Sequence, residues 1–119
     1  MNFKFKKEKT FEERRKEYEK IIKERPKKIP IICEKAPNCN IKEIDKPKTK
    51  YLVDGNLSLP QFMETIRKKL DIPETEAIFL LANGKSALSQ NETIATIYKK
   101  YKDKDGFLYF AYANEEIWG

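Results

Sequence analysis

The residue with the clearest chemical potential in this sequence is the last one, Gly119. Its carboxylate has no side chain beside it, so it can be threaded into a narrow catalytic channel and activated as an acyl group. Residues 114–119 show neither a helical stripe nor a turn signal, which is typical of an extended tail. We therefore predict that the chain is conjugated through Gly119. The alternative, an end set by chance or by cloning, stays open.

The sequence offers few other groups for catalysis or metal binding. It has two cysteines, Cys33 and Cys39, and no histidine. That spacing without a histidine argues against a zinc site, a disulfide framework and a Cys/His nucleophile. A Gly-rich phosphate loop and a convincing pair of catalytic acids are also missing. We therefore expect two ordinary thiols, with Cys33 in the core, in a protein that is not an enzyme and needs no cofactor or metal.

The charge of the chain is concentrated at its N-terminus. Residues 1–28 hold twelve Lys/Arg and six Asp/Glu, whereas the remainder holds thirteen of each, so the net charge of +6 lies in the first segment. Such a basic arm suggests an acidic partner: an anionic membrane, an acidic protein surface such as that of tubulin, or nucleic acid. A solvated helix face explains the same mixture of signs equally well. A chain of 119 residues without a long apolar run predicts one domain with its own core and no membrane span.

The N-terminal arm is predicted to be helical. Phe3 and Phe5 form a short amphipathic lead-in, and Thr10 with Glu13 forms a capping box before a second, highly charged helix. Pro26 closes that helix. Its apolar stripe is thin and consists of Phe11, Tyr18, Ile21 and Ile22. A helix with so little apolar surface is expected to lean on another element.

Two strands follow, separated by a long loop over residues 34–49. In the first, over residues 27–33, Ile29, Ile31 and Cys33 alternate with Pro30 and Ile32, which predicts two opposite faces. The proline must face away from one neighbouring ladder or sit at an irregularity. The second strand covers residues 50–54 and places Tyr51 and Val53 on one face, with Lys50 and Leu52 on the other.

The second half of the chain predicts two helices and two more strands. Capping boxes at Ser58/Gln61 and Ser89/Glu92 each begin a helix, and the first has the strongest apolar periodicity in the chain. A short buried strand covers 77–82. The segment 107–113 is apolar on both faces, as expected of a central strand. This order of elements is the plan of an α+β, ubiquitin-like β-grasp fold.

The sequence resembles the autophagy ubiquitin-like modifiers, a family with microtubule-associated protein light-chain and GABA-receptor-associated protein branches. The similarity is collinear over essentially the whole chain and is carried by Phe11-Glu12-Glu13-Arg14-Arg15, the segment 25–37, Tyr51-Leu52-Val53 and the segment 103–109. The resemblance implies a β-grasp domain over residues 28–113, two additional N-terminal helices within an arm over 1–27, and a flexible C-terminal tail over 114–119.

The resemblance also implies a route of conjugation. An activating enzyme would adenylate Gly119, and a conjugating enzyme would pass the glycyl group to phosphatidylethanolamine, from which a cysteine protease could release it. The implied location is the cytoplasm, and autophagosomal membranes after lipidation. Tubulin is a further implied partner, whereas nucleic acid is no longer expected.

A second implied activity is the capture of cargo receptors and adaptors through short motifs with an aromatic residue and, three positions later, an aliphatic one. Carried over by position, the aromatic pocket comprises Glu17, Ile21, Pro30, Ile32, Lys50, Leu52 and Phe107. The aliphatic pocket comprises Tyr51, Val53, Leu57, Phe62 and Ile66. Acidic residues flanking the motif would meet Lys28, Lys48 and Lys69, although a plain solvated surface is an equal alternative for the first two.

Three departures from the family pattern bear on that site. The loop over 46–50 looks two residues longer than usual, Asp54-Gly55 replaces a common proline, and Thr65 stands where a leucine often lines the second pocket. Two other functions remain as alternatives: a sibling autophagy modifier that is joined to a protein lysine, as the final Trp118-Gly119 suggests, and a non-conjugated ubiquitin-like module that binds tubulin.

Overall fold

The computed structural model describes residues 1–37, 39–44, 49–84 and 86–114. These residues form four helices and five strands, in the order α1 (Lys4–Glu8), α2 (Phe11–Glu24), β1 (Lys28–Lys35), β2 (Lys50–Asp54), α3 (Leu59–Leu70), β3 (Phe79–Ala82), β4 (Ser86–Ala87), α4 (Ile94–Tyr101) and β5 (Leu108–Ala113). Within these ranges, the protein has no helix that is both long and apolar enough to cross a bilayer.

The strands form one mixed sheet in the order β2-β1-β5-β3-β4. The last strand, β5, runs parallel to β1 and antiparallel to β3, so it lies at the centre of the sheet. All six of its residues are buried, as the two-sided apolar pattern predicts. The β-grasp topology is therefore confirmed, with β4 as a short strand that the sequence did not indicate.

Each face of the sheet carries its own core. On one face, α3 and α4 pack through Phe62, Ile66 and Ile97 against strand residues that include Ile31 and Phe110; we call this the α3/α4 core. On the other face, α1 and α2 cover a cluster that consists of Phe3, Ile32, Ala36, Leu81, Phe107, Tyr109, Ala111 and Ala113, with Met1, Phe5, Tyr18 and Ile21 packed against it; we call this the α1/α2 core. The thin stripe of α2 suffices because the sheet supplies most of this second core.

Two of the three predicted capping boxes are present. The Thr10 and Ser58 side chains accept from the backbone N–H groups of Glu13 and Gln61, whose side chains bond back to the cap residues. The third prediction is wrong, because α4 begins at Ile94 with Thr93 as its cap. The Ser89 hydroxyl instead accepts from the N–H of Asn91 in the preceding turn.

A buried ion pair ties α2 to the segment before β5. Arg14 Nε donates to Asp105 Oδ2 at 2.8 Å, and the Asp105 side chain is fully buried. The same carboxylate accepts from the Phe107 N–H and the Tyr109 hydroxyl. These donors replace the water that the buried carboxylate loses.

The carboxylate of Glu34 holds α1 in place. It accepts from the backbone N–H groups of Lys4 at 2.7 Å and Phe5 at 3.1 Å, which are orphan donors at the start of the helix. Glu34 was predicted to begin the long loop, but β1 continues to Lys35 and Glu34 is buried within it. An acidic residue is favoured there because its negative charge lies at the N-terminus of α1, which is the positive end of the helix dipole.

Candidate functional site

The outer edge of β2 is the candidate site. Among the described residues, β2 pairs only with β1, in the antiparallel register that aligns Ile31 with Tyr51. Cys33 N donates to Thr49 O at 2.8 Å. Because bonded positions alternate along an antiparallel strand, Tyr51 and Val53 also point their backbone N–H and C=O groups toward β1. Lys50 and Leu52, which alternate with them, therefore direct their N–H and C=O groups away from β1.

Pro30 fits into this ladder without losing a hydrogen bond. Its Cα partner on β2 is Leu52, at a position where antiparallel strands exchange no backbone bond. Its missing donor faces β5, whose pairing with β1 begins one residue later, at Ile31 and Leu108. The prediction that this proline faces away from one ladder is confirmed.

The residues predicted for the aromatic pocket lie together on the α2 side of this edge. Lys50 and Leu52 are Cα partners of Ile32 and Pro30, which gives two neighbouring rows on one face of the sheet. Ile21 of α2 and Phe107 border those rows as members of the α1/α2 core. Leu52 is 40% exposed although Pro30 and Ile32 are buried, so the floor is apolar and open to solvent on one side.

Charge at the mouth of this pocket is shared by two lysines and one carboxylate. Lys50 donates to one oxygen of Glu17, and Lys9 donates to the other at 2.9 Å. Both ammonium groups lie over the ring of Phe5, at 5.4 Å and 5.3 Å from its centroid. Burial, followed by the charge of Lys9, lowers the pKa of Lys50. Two ammonium groups thus share one carboxylate, so a second carboxylate, supplied by a ligand, would neutralise the remaining positive charge.

The residues predicted for the aliphatic pocket lie on the opposite face, between β2 and α3. Tyr51 and Val53 are half-buried against the α3/α4 core, and Leu57 packs beside them. Phe62 and Ile66 form the fully buried back of this region. The ring of Tyr51 meets that of Phe62 edge-on, with centroids 5.5 Å apart. Burial also raises the pKa of the Tyr51 hydroxyl.

The remaining predicted site residues are spread out. Lys28 forms an ion pair with Asp54 at 2.8 Å, at the opposite end of β2 from Lys50, and Lys69 is exposed near the end of α3. Lys48 and the conjugation residue Gly119 lie outside the described residues. Phe5 and Lys9 were missed as neighbours of the aromatic pocket, because only the folding of α1 against the sheet brings them there.

Comparison with known proteins identifies the family of this chain. A family model described as "Autophagy protein Atg8 ubiquitin like" matches residues 13–119. The chain belongs to the Atg8 family.

Curated Atg8 relatives support this assignment along the whole chain. It is 43% identical to autophagy-related protein 8 of Saccharomyces cerevisiae strain YJM789 over 115 residues, which are 97% of this chain and 96% of the relative. It is 41% identical to the protein of the same name from Kluyveromyces lactis over 115 residues, covering 97% and 90%.

The fold is equally close to that of a solved family member. The crystal structure of Trypanosoma brucei ATG8 matches with a TM-score of 0.89 and 38% sequence identity, and all of both chains is covered. The predicted membership of the autophagy ubiquitin-like family and the predicted ubiquitin-like fold are therefore confirmed.

Proposed function

We propose that this Atg8-family protein is a modifier that is coupled through Gly119 to phosphatidylethanolamine and that uses the free edge of β2 to recruit cargo receptors and adaptors. It acts in autophagosome formation, in the cytoplasm and, once lipidated, on the autophagosomal membrane. It supplies the acyl group and the binding surface, while the catalytic residues belong to its activating, conjugating and deconjugating enzymes.

The observation that carries this proposal is the position of two apolar regions on opposite faces of β2, whose outer edge is unpaired among the described residues. An added peptide strand would bond to the outward-facing N–H and C=O groups of Lys50 and Leu52. Because successive side chains alternate between faces, residues three positions apart point to opposite sides. An aromatic residue over Leu52 and an aliphatic residue near Val53 then fit the spacing of the expected motif.

Membership of the Atg8 family supports the proposed coupling to a lipid, which would hold the recruiting surface at a membrane. Burial of acyl chains contributes about 0.8 kcal/mol per methylene, so a two-chain lipid holds a soluble domain far more firmly than one chain does.

Reconstitution with the conjugation enzymes and liposomes tests the first half of the proposal. We expect a lipid adduct from the wild-type chain and none from Gly119→Ala. A lysine-linked protein adduct without lipid product would support the sibling modifier instead, and membrane recruitment in cells that survives Gly119→Ala would support a non-conjugated module.

Calorimetric titration with motif peptides tests the second half. Leu52→Ala together with Tyr51→Ala should weaken binding at least about tenfold, since apolar burial is lost on both faces of the edge. Gly119→Ala is the matched control, because it should bind peptides like the wild type. Unchanged affinity in the double variant would place the binding site elsewhere.

A further inference from the structure

The face of β2 on the α2 side ends in an acidic residue. Lys50, Leu52 and Asp54 occupy alternate positions of the strand, so their side chains share this face, and all three are exposed. Lys50 and Leu52 belong to the predicted aromatic pocket. Asp54 has no role in the proposed function so far, although it lies on the same strand edge.

The carboxylate of Asp54 is only partly occupied. Its Oδ1 accepts from Lys28 Nζ at 2.8 Å, and among the described residues Oδ2 has no partner. Lys28 is the Cα partner of Asp54 on the inner strand β1. The Asp54 side chain is 64% exposed and that of Lys28 is 34% exposed. The carboxylate is therefore the outer group of the pair and can accept from a second cation at the edge.

The chain leaves the sheet edge directly after Asp54. Leu57 N donates to Asp54 O at 3.1 Å, and Ala95 N at the start of α4 donates to Gly55 O at 2.9 Å. A Cβ atom at Gly55 would lie 3.1 Å from the Cβ of Ala95, so the glycine permits this close approach. Asp54 is consequently the last residue of β2 that a strand added to the outer edge can meet.

The spacing of the motif fixes which peptide residue meets Asp54. β2 offers two pairs of residues that are three positions apart, Lys50 with Val53 and Tyr51 with Asp54. Only the first pair joins a member of the aromatic pocket to a member of the aliphatic pocket. The peptide therefore runs parallel to β2, with its aromatic residue beside Lys50, its aliphatic residue beside Val53, and the next residue beside Asp54. We number the aromatic residue 0, so that this next residue is position +4.

Position +4 lies closer to the carboxylate than to its lysine partner. Neighbouring strands are about 4.8 Å apart, so the added strand lies about 5 Å from β2 and about 10 Å from β1. Coulomb interactions weaken with distance, and salt screens the longer one more strongly. A charge at +4 therefore responds mainly to Asp54, even though Lys28 and Asp54 together are neutral.

We propose that Asp54 is a specificity residue, which favours a lysine or arginine at position +4 of the bound peptide and disfavours an acidic residue there. The inference rests on the proposed function, because it uses the same edge and the same two pockets. It implies that the cargo receptors and adaptors of this protein carry a basic residue directly after the aliphatic residue of their motif.

Three peptides that differ only at +4 test this role by calorimetry against the whole chain. All have the same aromatic-x-x-aliphatic core and the same flanks, with Lys, Gln or Glu at +4. Because exposed ion pairs are weak, we expect Lys to bind about two- to fivefold more tightly than Gln, and Gln more tightly than Glu by a similar factor. The differences should be clear at about 0.01 M salt and vanish at about 1 M, where the screening length falls to roughly 3 Å.

A charge reversal connects the preference to Asp54. In Asp54→Lys the order of the peptides should invert, so that Glu at +4 binds most tightly. Glu74→Lys changes the net charge equally and is the control, because Glu74 is exposed and follows the end of α3, whereas Asp54 precedes its start. The 12 residues of that helix span about 18 Å. We expect this control to keep the order of the wild type.

The outcomes separate this inference from the function on which it rests. Equal binding of the three peptides by the wild type, or an unchanged order in Asp54→Lys, would overturn the role of Asp54 while the binding itself still supports the edge. The same three residues at +2 should have little effect, since a larger response there would place the aromatic residue beside Leu52 and overturn the assignment to +4. Absence of binding by all peptides would contradict the proposed edge. Unchanged affinity of Asp54→Lys for the Gln peptide verifies that the variant is folded.

Discussion

Removal of the Asp105 carboxylate should reveal how strongly the N-terminal helices are bound to the β-grasp domain. Asp105→Ala takes the counter-charge from Arg14 and the acceptor from the Phe107 N–H and the Tyr109 hydroxyl, in a place without exposure to solvent. Breaking a buried ion pair from one side costs about 3–5 kcal/mol. Arg14 keeps a bond to the carbonyl of Lys9 at 2.8 Å, which favours the lower half of that range.

Urea denaturation followed by circular dichroism measures this cost. With a slope of about 1–3 kcal/mol per molar urea, a loss of about 3 kcal/mol moves the midpoint down by roughly 1–3 M. Asp54→Ala is the matched control, because its ion pair with Lys28 is largely exposed and contributes about 0–1 kcal/mol. Hydrogen exchange should show earlier opening of the amides of α2 than of β5. Equal midpoints for Asp105→Ala and Asp54→Ala would show that the buried ion pair does not stabilise the fold.

Two further predictions concern single ionisable groups. Burial, reinforced by the charge of Glu34, raises the pKa of Cys33, so iodoacetamide at pH 8 should label Cys39 in the native protein and Cys33 only after unfolding; native labelling of both at one rate would contradict this. Burial would raise the pKa of Asp103, but the hydrogen bond and charge of Lys6 outweigh it and hold that pKa below its usual 3.8. The stability from this pair is therefore complete above about pH 4 and is lost as the pH falls through the lowered pKa. The urea midpoint of Asp103→Asn should lie below that of the wild type at pH 6 and converge with it at low pH; a constant difference would show another cause.

Local sequence signals predicted most of the fold. The boundaries of β2 at Lys50 and Asp54 and the caps at Thr10 and Ser58 agree with the structure, because each depends on residues within one turn or one strand. The alternation in β1 also placed Ile31 and Ile32 in separate cores. Period-two patterns fix such faces directly, since a shift by one residue would expose one whole side of the strand.

Contacts between distant residues could not be predicted in this way. Arg14 and Asp105 are 91 positions apart, and Glu34 meets α1 across 30 positions. In the sequence, each of these residues stands among other charges and resembles a solvated side chain. The misplaced start of α4 has a different origin, because Ser89 and Thr93 both satisfy the local rules for a cap and packing of Ile94 and Ile97 in the core favours the later one.

The candidate site combined both kinds of information. The faces of Lys50 and Leu52 followed from alternation, but the grouping of the two proposed pockets came from the family resemblance.

If the outer edge of β2 binds two peptide side chains on opposite faces of the sheet, affinity must depend on the spacing of those side chains along the peptide. Calorimetry should compare peptides of equal composition whose aromatic and aliphatic residues are two, three or four positions apart. We expect tight binding only at a separation of three, because even separations direct both side chains to the same face of the added strand. Equal affinity at all three separations would contradict it.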